Sequence, residues 1–201
     1  MVEKGIIMTQ KVDRRVRKTK AALRAGLIKL MQEKSIREIT VRELVEAVDI
    51  NRSTFYLHYA DIYDMLNKIE EELLEQLVSV TDRHKHEYYN EKLNTYLEEV
   101  FVILLENVDI CNLLMSPNGD IQFTSKVKNL IKDNITQTTV EFLQGTLPVE
   151  EIKFACSFYI GGCLGVVERW LMDGAKESPQ ALASLCYKLI RNGLVTFLPT
   201  I

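Results

Sequence analysis

The amino-acid sequence predicts an all-α protein. Apolar side chains recur every three or four residues along most of the 201-residue chain, and no stretch shows the alternation typical of a half-buried strand. Only four prolines and nine glycines interrupt these patterns. Capping residues and glycine or proline stops divide the chain into about nine helices, which we justify in order.

The first helix is expected from about Lys11 to Lys34. Its apolar positions, such as Leu23, Leu27 and Met31, recur at helical spacing and give it one buried side. The helix begins with the densely basic run KVDRRVRKTK.

Residues 39–66 predict two short helices joined by a tight turn and followed by a longer helix. Thr40 and Glu43 can form a capping box at the start of the first short helix, and Asn51 can cap the second. Asp49 lies in the turn, where aspartate tolerates a left-handed backbone. This arrangement is a helix-turn-helix, whose second helix is shaped to enter the major groove of DNA.

The outward side chains of this motif are the candidate DNA contacts. Arginines can pair with guanine edges, whereas hydroxyl groups and histidines can hold phosphates. The outward set is Arg42, Arg52, Ser53, Thr54, Tyr56, Leu57 and His58.

A long amphipathic helix is expected next, capped by Asp61 and running from Ile62 toward Arg83. It links an N-terminal DNA-binding domain, residues 1–60, to a C-terminal helical domain, residues 61–201. Glycine and proline signals divide the rest of that domain into five helices. They are expected at about residues 91–106, 110–115, 120–144, 150–172 and 179–197.

The charge distribution agrees with DNA contact at one end. Residues 1–60 carry thirteen Lys and Arg against seven Asp and Glu, a net charge of +6, whereas the remaining residues carry −9. A basic run is usually only a solvated face, but this one directly precedes the helix-turn-helix. We therefore expect Lys18 and its basic neighbours to contact DNA phosphates without reading sequence.

The sequence gives little indication of a metal site, a cofactor site or a membrane-spanning segment. The four cysteines form no C-x-x-C pair and are expected as buried free thiols, with a redox or metal site as the alternative. His84 and His86 are two residues apart and would point in different directions on a helix. The apolar run from Phe154 to Val167 is too short to span a bilayer, and no signal-peptide core is visible. We expect a cytoplasmic protein without metal, cofactor or membrane partner.

Aromatic residues of the C-terminal domain are candidates for the walls of a ligand pocket. Aromatic side chains at helical spacing are more often simply part of a core, and that alternative stays open. The candidates are Tyr96, Phe101, Phe123, Phe142, Phe158, Tyr159 and Trp170.

The last two helices carry a pattern that favours a homodimer. Gly161 and Gly165 lie four residues apart on one face, which permits another helix to approach closely. In the final helix, Leu182, Leu185 and Leu189 form a narrow apolar stripe. Packing within the chain could explain both features, but we favour a four-helix bundle formed by two copies.

The segment Thr54-Phe55-Tyr56-Leu57-His58-Tyr59, together with Thr40-Val41 and Ala47, resembles the TetR family of bacterial transcription regulators. The resemblance covers about residues 12–66, and the nine-helix layout extends it over the chain. A looser similarity relates the C-terminal domain to that of Firmicutes members. The resemblance to the TetR family implies a two-fold dimer that binds a palindromic double-stranded DNA operator. It also implies that the protein is usually a repressor, which leaves DNA when a small-molecule effector binds in the C-terminal domain.

The resemblance also implies roles for individual residues. Arg42 matches a base-reading position, Tyr56 and His58 match phosphate contacts, and Thr40 matches a helix-cap phosphate contact. One departure is Ile62, where members commonly carry a lysine that holds a phosphate. A lysine at that position is expected to add one phosphate contact, unless Ile62 serves to pack the linking helix.

Two other functions remain as alternatives. The first is an activator, co-activator or protein-binding module with a TetR-like fold. Sequence-specific binding to the protein's own promoter region would distinguish a repressor from such a protein. An enzyme is not expected, because the sequence shows no nucleophile–base pair, phosphate-binding loop or metal-ligand spacing.

Overall fold

The computed structural model describes residues 2–84, 92–115 and 121–194. Within these ranges the chain forms α-helices and a short 3₁₀ turn at Ile36–Glu38 and contains no strand, which confirms the all-α prediction. The helices are α1 (Val2–Glu33), α2 (Val41–Ala47), α3 (Arg52–Tyr56), α4 (Ile62–Arg83), α5 (Leu93–Glu106), α6 (Val108–Leu114), α7 (Ile121–Phe142), α8 (Val149–Met172) and α9 (Pro179–Leu194).

These bounds follow the sequence signals closely, with one difference at the start. Helix α1 begins at Val2 rather than near Lys11. The intervening segment contains no proline and a single glycine, so nothing in it stops the helix.

The described residues divide into two compact units. An N-terminal unit comprises residues 2–71, and a C-terminal unit comprises residues 72–115 and 121–194. The division falls within α4, whereas the sequence suggested a boundary before it, at residue 60. The first half of α4 is therefore grouped with the helix-turn-helix.

The helix caps of the N-terminal unit position α2 and α3. The Thr40 hydroxyl accepts a hydrogen bond from the Glu43 amide at 3.2 Å, and the Asn51 side chain accepts one from the Ser53 amide at 2.9 Å. The predicted return bond from Glu43 is replaced, because its carboxylate pairs with the Lys34 ammonium. Asp49 adopts the predicted left-handed backbone, with φ of 52°.

A glycine brings α1 and α2 into close contact. A Cβ atom placed on Gly26 would lie 2.4 Å from Cγ1 of Val48 and 2.9 Å from Cδ1 of Leu44. Leu44 is fully buried, and Val48 is a stiff β-branched side chain that cannot easily move aside. The backbone of α1 therefore packs directly onto the end of α2.

Helix α4 buries one continuous apolar face along its whole length. Its buried residues recur every three or four positions, as an amphipathic helix requires. They are Ile62, Met65, Leu66, Ile69, Leu73, Leu77 and Val80.

The C-terminal unit is built from two close helix pairs. Helix α5 packs along α9, and α7 packs along α8, whereas α8 and α9 contact each other less extensively. The turn between α8 and α9 is fixed by Gly174, which has φ of 84°, and by the Ser178 hydroxyl, which accepts from the Ala181 amide. Among the described helices, none is both long and apolar enough to cross a membrane.

We predict that Gly26→Val destabilises the N-terminal unit, because the added side chain overlaps Val48 and Leu44. The expected loss of unfolding free energy is about 1–3 kcal/mol, the usual cost of overpacking. Chemical denaturation followed by circular dichroism measures it. Ala25→Val, one residue earlier on the exposed side of α1, is the matched control. Equal stabilities of the two variants would contradict close α1–α2 packing.

Candidate functional site

The helix-turn-helix presents most of its predicted DNA contacts to solvent. Tyr56 is 47% exposed and Leu57 79%, although a large hydrophobic residue at the end of a short helix would normally be buried. Thr54 and His58 are half-buried. The other exposed candidates are Lys18 on α1, Thr40, Arg42, Arg52 and Ser53. The structure thus leaves every one of these side chains at least partly accessible.

Arg52 and Tyr56 form one surface unit on α3. The Arg52 guanidinium donates to the Tyr56 hydroxyl at 3.0 Å and lies 5.5 Å from the ring centroid. Arg52 therefore has a preferred orientation before any ligand arrives, and this reduces the entropy lost when it pairs with a phosphate or a base.

Arg42 is held by a carboxylate on its own helix. Its Nε donates to Glu46 at 2.7 Å, and the hydrogen bond and charge of Glu46 raise the pKa of Arg42. The pair is open to solvent, with the Arg42 side chain 78% exposed, so its contribution to stability is small. The bond to Glu46 uses only Nε, so the terminal nitrogens of Arg42 remain available to a DNA base or phosphate.

Lys68 on α4 contacts the end of the recognition segment, which comprises α3 and the two residues that follow it, Leu57 and His58. Its ammonium donates to the His58 carbonyl at 3.1 Å and to Asp64 at 2.9 Å. The hydrogen bond from Lys68, followed by that from the Ala60 amide, lowers the pKa of the Asp64 carboxyl. A lowered carboxyl pKa means that this contact persists at neutral pH and is lost only in acid.

Ile62 is a packing residue. Its side chain is 4% exposed, in line with the buried face of α4. The expectation that a lysine at this position adds a phosphate contact stays a prediction, and the ammonium group would have to reach solvent from a buried position. The alternative expectation, that Ile62 packs the linking helix, agrees with its burial.

A cavity of about 470 Å³ lies within the C-terminal unit, between the α5–α9 and α7–α8 pairs. This volume is within the range of small-molecule sites. Most of the lining side chains are aliphatic or aromatic, and they come from α5, α7, α8, α9 and the segment that joins α7 to α8.

Four of the seven predicted pocket aromatics line this cavity, namely Tyr96, Phe101, Phe142 and Tyr159. The side chain of Phe123 lies outside the described residues. The structure differs from the prediction at the other two aromatic positions. Phe158 is 75% exposed on the outer side of α8. Trp170 is buried behind the wall, 5.4 Å from the Phe101 ring, and donates its indole N–H to the Glu177 carbonyl.

The polar part of the cavity wall was not among the residues predicted from the sequence. Tyr187 and Arg191 line it from α9, and the Arg191 guanidinium donates to the Tyr187 hydroxyl at 2.7 Å. The Tyr159 hydroxyl lies nearby against Gly193, where a Cβ would be 2.2 Å away. In the sequence, Arg191 resembles any solvated arginine near a helix end, so no pattern distinguished it.

The Cys163 thiol lines the cavity from α8. Its interaction with the neighbouring Cys186 thiol on α9, followed by burial, raises the pKa of the Cys163 thiol, so it stays neutral at physiological pH and supplies no charge to the cavity. The same interaction lowers the pKa of the Cys186 thiol. Within the described residues, no cluster of three potential metal ligands occurs; His86 lies outside them.

Tyr96 connects the cavity to α4. One side of this residue lines the cavity, while its hydroxyl lies 3.4 Å from the Thr81 hydroxyl and its ring 5.8 Å from the His84 ring. His84 in turn lies 3.1 Å from Glu99, which also pairs with Arg83. The last turn of α4 is thus bound to the cavity helix α5 by several polar contacts.

An exposed apolar stripe runs along α8 at intervals of three, four and seven residues. Phe154 and Phe158 are each 75% exposed and Met172 84%, and Gly161 and Gly165 lie between them. No described atom lies within 4 Å of a Cβ built on either glycine, so packing against the described part of the chain does not explain them.

The apolar residues of α9 divide between the surface and the core. Leu185 is 46% exposed and Leu189 58%. Leu182 differs from the prediction, because it is only 8% exposed and packs within the chain. The candidate interface is therefore an α8 stripe with two leucines of α9.

Comparisons with known proteins place these features in a family. Residues 91–192 match a TetR-type family profile described as the transcriptional regulator C-terminal region. The uncharacterized HTH-type transcriptional regulator YxbF of Bacillus subtilis is 20% identical over 174 residues, which make up 85% of this chain. The chain spans 44% of the length of that relative.

Solved structures show the same fold. The dihydroxyacetone kinase operon activator DhaS superposes with a TM-score of 0.62 at 18% identity, covering 90% of this chain and 98% of DhaS. The regulator FadR from Bacillus subtilis, solved in complex with stearoyl-CoA, gives 0.60 at 18% identity, covering 86% of this chain and 98% of FadR. With an N-terminal helix-turn-helix and a matching C-terminal domain, this chain belongs to the TetR family of transcriptional regulators.

Proposed function

We propose that this protein is a homodimeric, ligand-responsive repressor that binds a palindromic operator through its helix-turn-helix. The observation that carries the ligand response is Tyr96, which lines the cavity and contacts α4 at Thr81 and His84. A molecule that displaces Tyr96 would change the packing of the last turn of α4.

The DNA part of the proposal rests on the exposed arginines and their partners. Arg52 is oriented by Tyr56, and Arg42 can exchange Glu46 for a guanine edge, which offers two acceptors in the major groove. The basic start of α1 supplies charge that attracts any DNA. Specificity and general affinity would therefore come from different residues.

The dimer part rests on the apolar stripe of α8 and α9. Two phenylalanines and a methionine that are more than 70% exposed are costly to leave in water, and their burial is the usual reason for such a patch. The two glycines would let a second copy of α8 approach closely. Two-fold pairing would present two recognition helices to operator half-sites about 34–36 Å apart.

The sign of regulation has a competing candidate. DhaS, which shares the fold, is named as an operon activator. Transcription from the protein's own promoter in a purified system separates the two functions: a repressor lowers transcript yield and an activator raises it. A protein-binding module without operator recognition would not distinguish that promoter region from random DNA. We propose no enzymatic function, and turnover of a bound compound would revive that alternative.

Substitutions at Arg42 and Lys18 test the division between sequence reading and general affinity. Arg42→Ala should relax preference at one operator position, by about 1–3 kcal/mol, because a bidentate base contact is lost. Lys18→Ala should weaken operator and random DNA equally and lower the log–log salt slope by about 0.9, the value for one phosphate. Fluorescence anisotropy with a panel of operator variants measures both effects.

Glu46→Gln is the control for the Arg42 experiment. It releases Arg42 from its ion pair while the base-reading group stays in place, so position preference should persist and affinity should rise. An unchanged specificity profile in Arg42→Ala would refute the base-reading role.

The dimer is tested by Gly161→Leu. Since no described atom lies within 4 Å of a Cβ at this position, the substitution should leave the protomer folded, and the lost glycine should favour the helix by about 1 kcal/mol. Association should weaken because the leucine separates the paired helices, and sedimentation velocity should show more monomer. Lys153→Leu adds the same side chain at an exposed α8 position outside the stripe and should leave the dimer intact. If Gly161→Leu is fully dimeric, the stripe has another use.

A further inference from the structure

One cationic group on an otherwise neutral cavity wall indicates the chemistry of the ligand. Among the described residues that line the cavity, Arg191 is the only one with a permanent charge, and none is acidic. Arg191 is exposed to solvent, its described partner is the neutral hydroxyl of Tyr187, and it forms no ion pair with a described carboxylate. The guanidinium therefore places at the cavity wall a positive charge that no described residue of the wall neutralises.

The remaining polar groups of the wall are already satisfied or neutral. The Thr139 hydroxyl donates to the Ile135 carbonyl at 2.7 Å, and the Cys163 thiol is neutral because its interaction with Cys186 and its burial raise its pKa. Aliphatic and aromatic side chains form the rest of the surface, including Leu97, Ile152 and Ile160. A ligand buried here gains mainly by removing apolar area from water, at about 25 cal/mol per Å².

The polar groups lie together on one element. Tyr187 and Arg191 are one turn apart on α9, and the Tyr159 hydroxyl lies against Gly193 on the same helix end. The close approach of Tyr159 to α9 requires a glycine at position 193. The cavity thus has an apolar interior and one polar end at residues 187–193.

We infer that the cavity takes an amphipathic monoanion, an apolar chain or ring system with a single carboxylate or comparable anionic head. The head pairs with the Arg191 guanidinium, which the Tyr187 hydroxyl orients, and the apolar part fills the space between the two helix pairs. This inference rests on the proposed role of the cavity as the effector site. It adds the charge of the effector and the residue that recognises it.

A matched series of ten-carbon probes tests the inference. Decanoate, decanol and decyltrimethylammonium have the same chain and differ in head-group charge, and isothermal titration calorimetry measures their binding to the intact protein below their micelle concentrations. Decanoate should bind about two- to fivefold more tightly than decanol, because it gains an ion pair with Arg191 and the exposure of this guanidinium to solvent weakens the pair. Decyltrimethylammonium should bind more weakly than decanol, because its charge repels Arg191.

Variants assign the preference to a residue. Arg191→Gln should abolish the preference for decanoate over decanol while leaving decanol binding unchanged. Tyr187→Phe, which keeps the ring but removes the hydroxyl that orients Arg191, should reduce the preference by a smaller factor. Lys188→Gln removes the same charge from an exposed position of α9 outside the cavity and should have no effect. Thermal unfolding of each variant confirms that it is folded.

Several results would overturn the inference. Equal binding of decanoate and decanol, a preference that survives Arg191→Gln, or binding of none of the probes would each do so. Operator binding measured on the same samples separates this failure from failure of the proposed function, because a protein that binds its operator but not decanoate remains a regulator with a different ligand.

Discussion

Burial of a single helical face, that of α4, is the constraint on which both units of this protein depend. Residues from Ile62 to Val80 keep one apolar stripe buried over the whole helix. Each such side chain contributes about 1.5–3 kcal/mol when it is fully removed from water. The stripe explains why Ile62 is an isoleucine in this chain: the position serves packing. It also explains why Lys68, on the other side of the helix, is available to hold the His58 carbonyl at the end of the recognition segment.

The same logic accounts for where apolar surface is left exposed. In the C-terminal unit, the α5–α9 and α7–α8 pairs satisfy most of their contacts within each pair, and a cavity remains between them. Phe154, Phe158 and Met172 on the outer side of α8 remain exposed among the described residues. The cavity and the outer stripe therefore differ in chemistry. The cavity has a charged end and suits a small ligand, whereas the stripe has two glycines and suits another helix.

Much of this architecture could be predicted from the sequence because it is determined locally. Thr40, Asn51, Asp61 and Ser178 cap helices through side chains a few residues away, and Asp49 and Gly174 adopt the turn conformations that their residue types favour. The cavity could be predicted only in part, because it depends on which helices pair. Phe158 and Tyr159 are neighbours in sequence and on the same helix, yet one faces outward and the other lines the cavity. Arg191 lines the cavity only because of the way in which these helices pair.

The most direct test of the account is the thermodynamic coupling between cavity and operator, with Tyr96 as the contact that transmits it. Operator affinity should be measured by anisotropy with and without saturating decanoate, in the wild type and in Tyr96→Phe. The account predicts that decanoate weakens operator binding at least about fivefold in the wild type, and that operator weakens decanoate binding by the same factor. In Tyr96→Phe, which loses the hydroxyl facing Thr81, decanoate should still bind while the coupling falls. Operator affinity that is independent of bound decanoate, or full coupling in Tyr96→Phe, would contradict it.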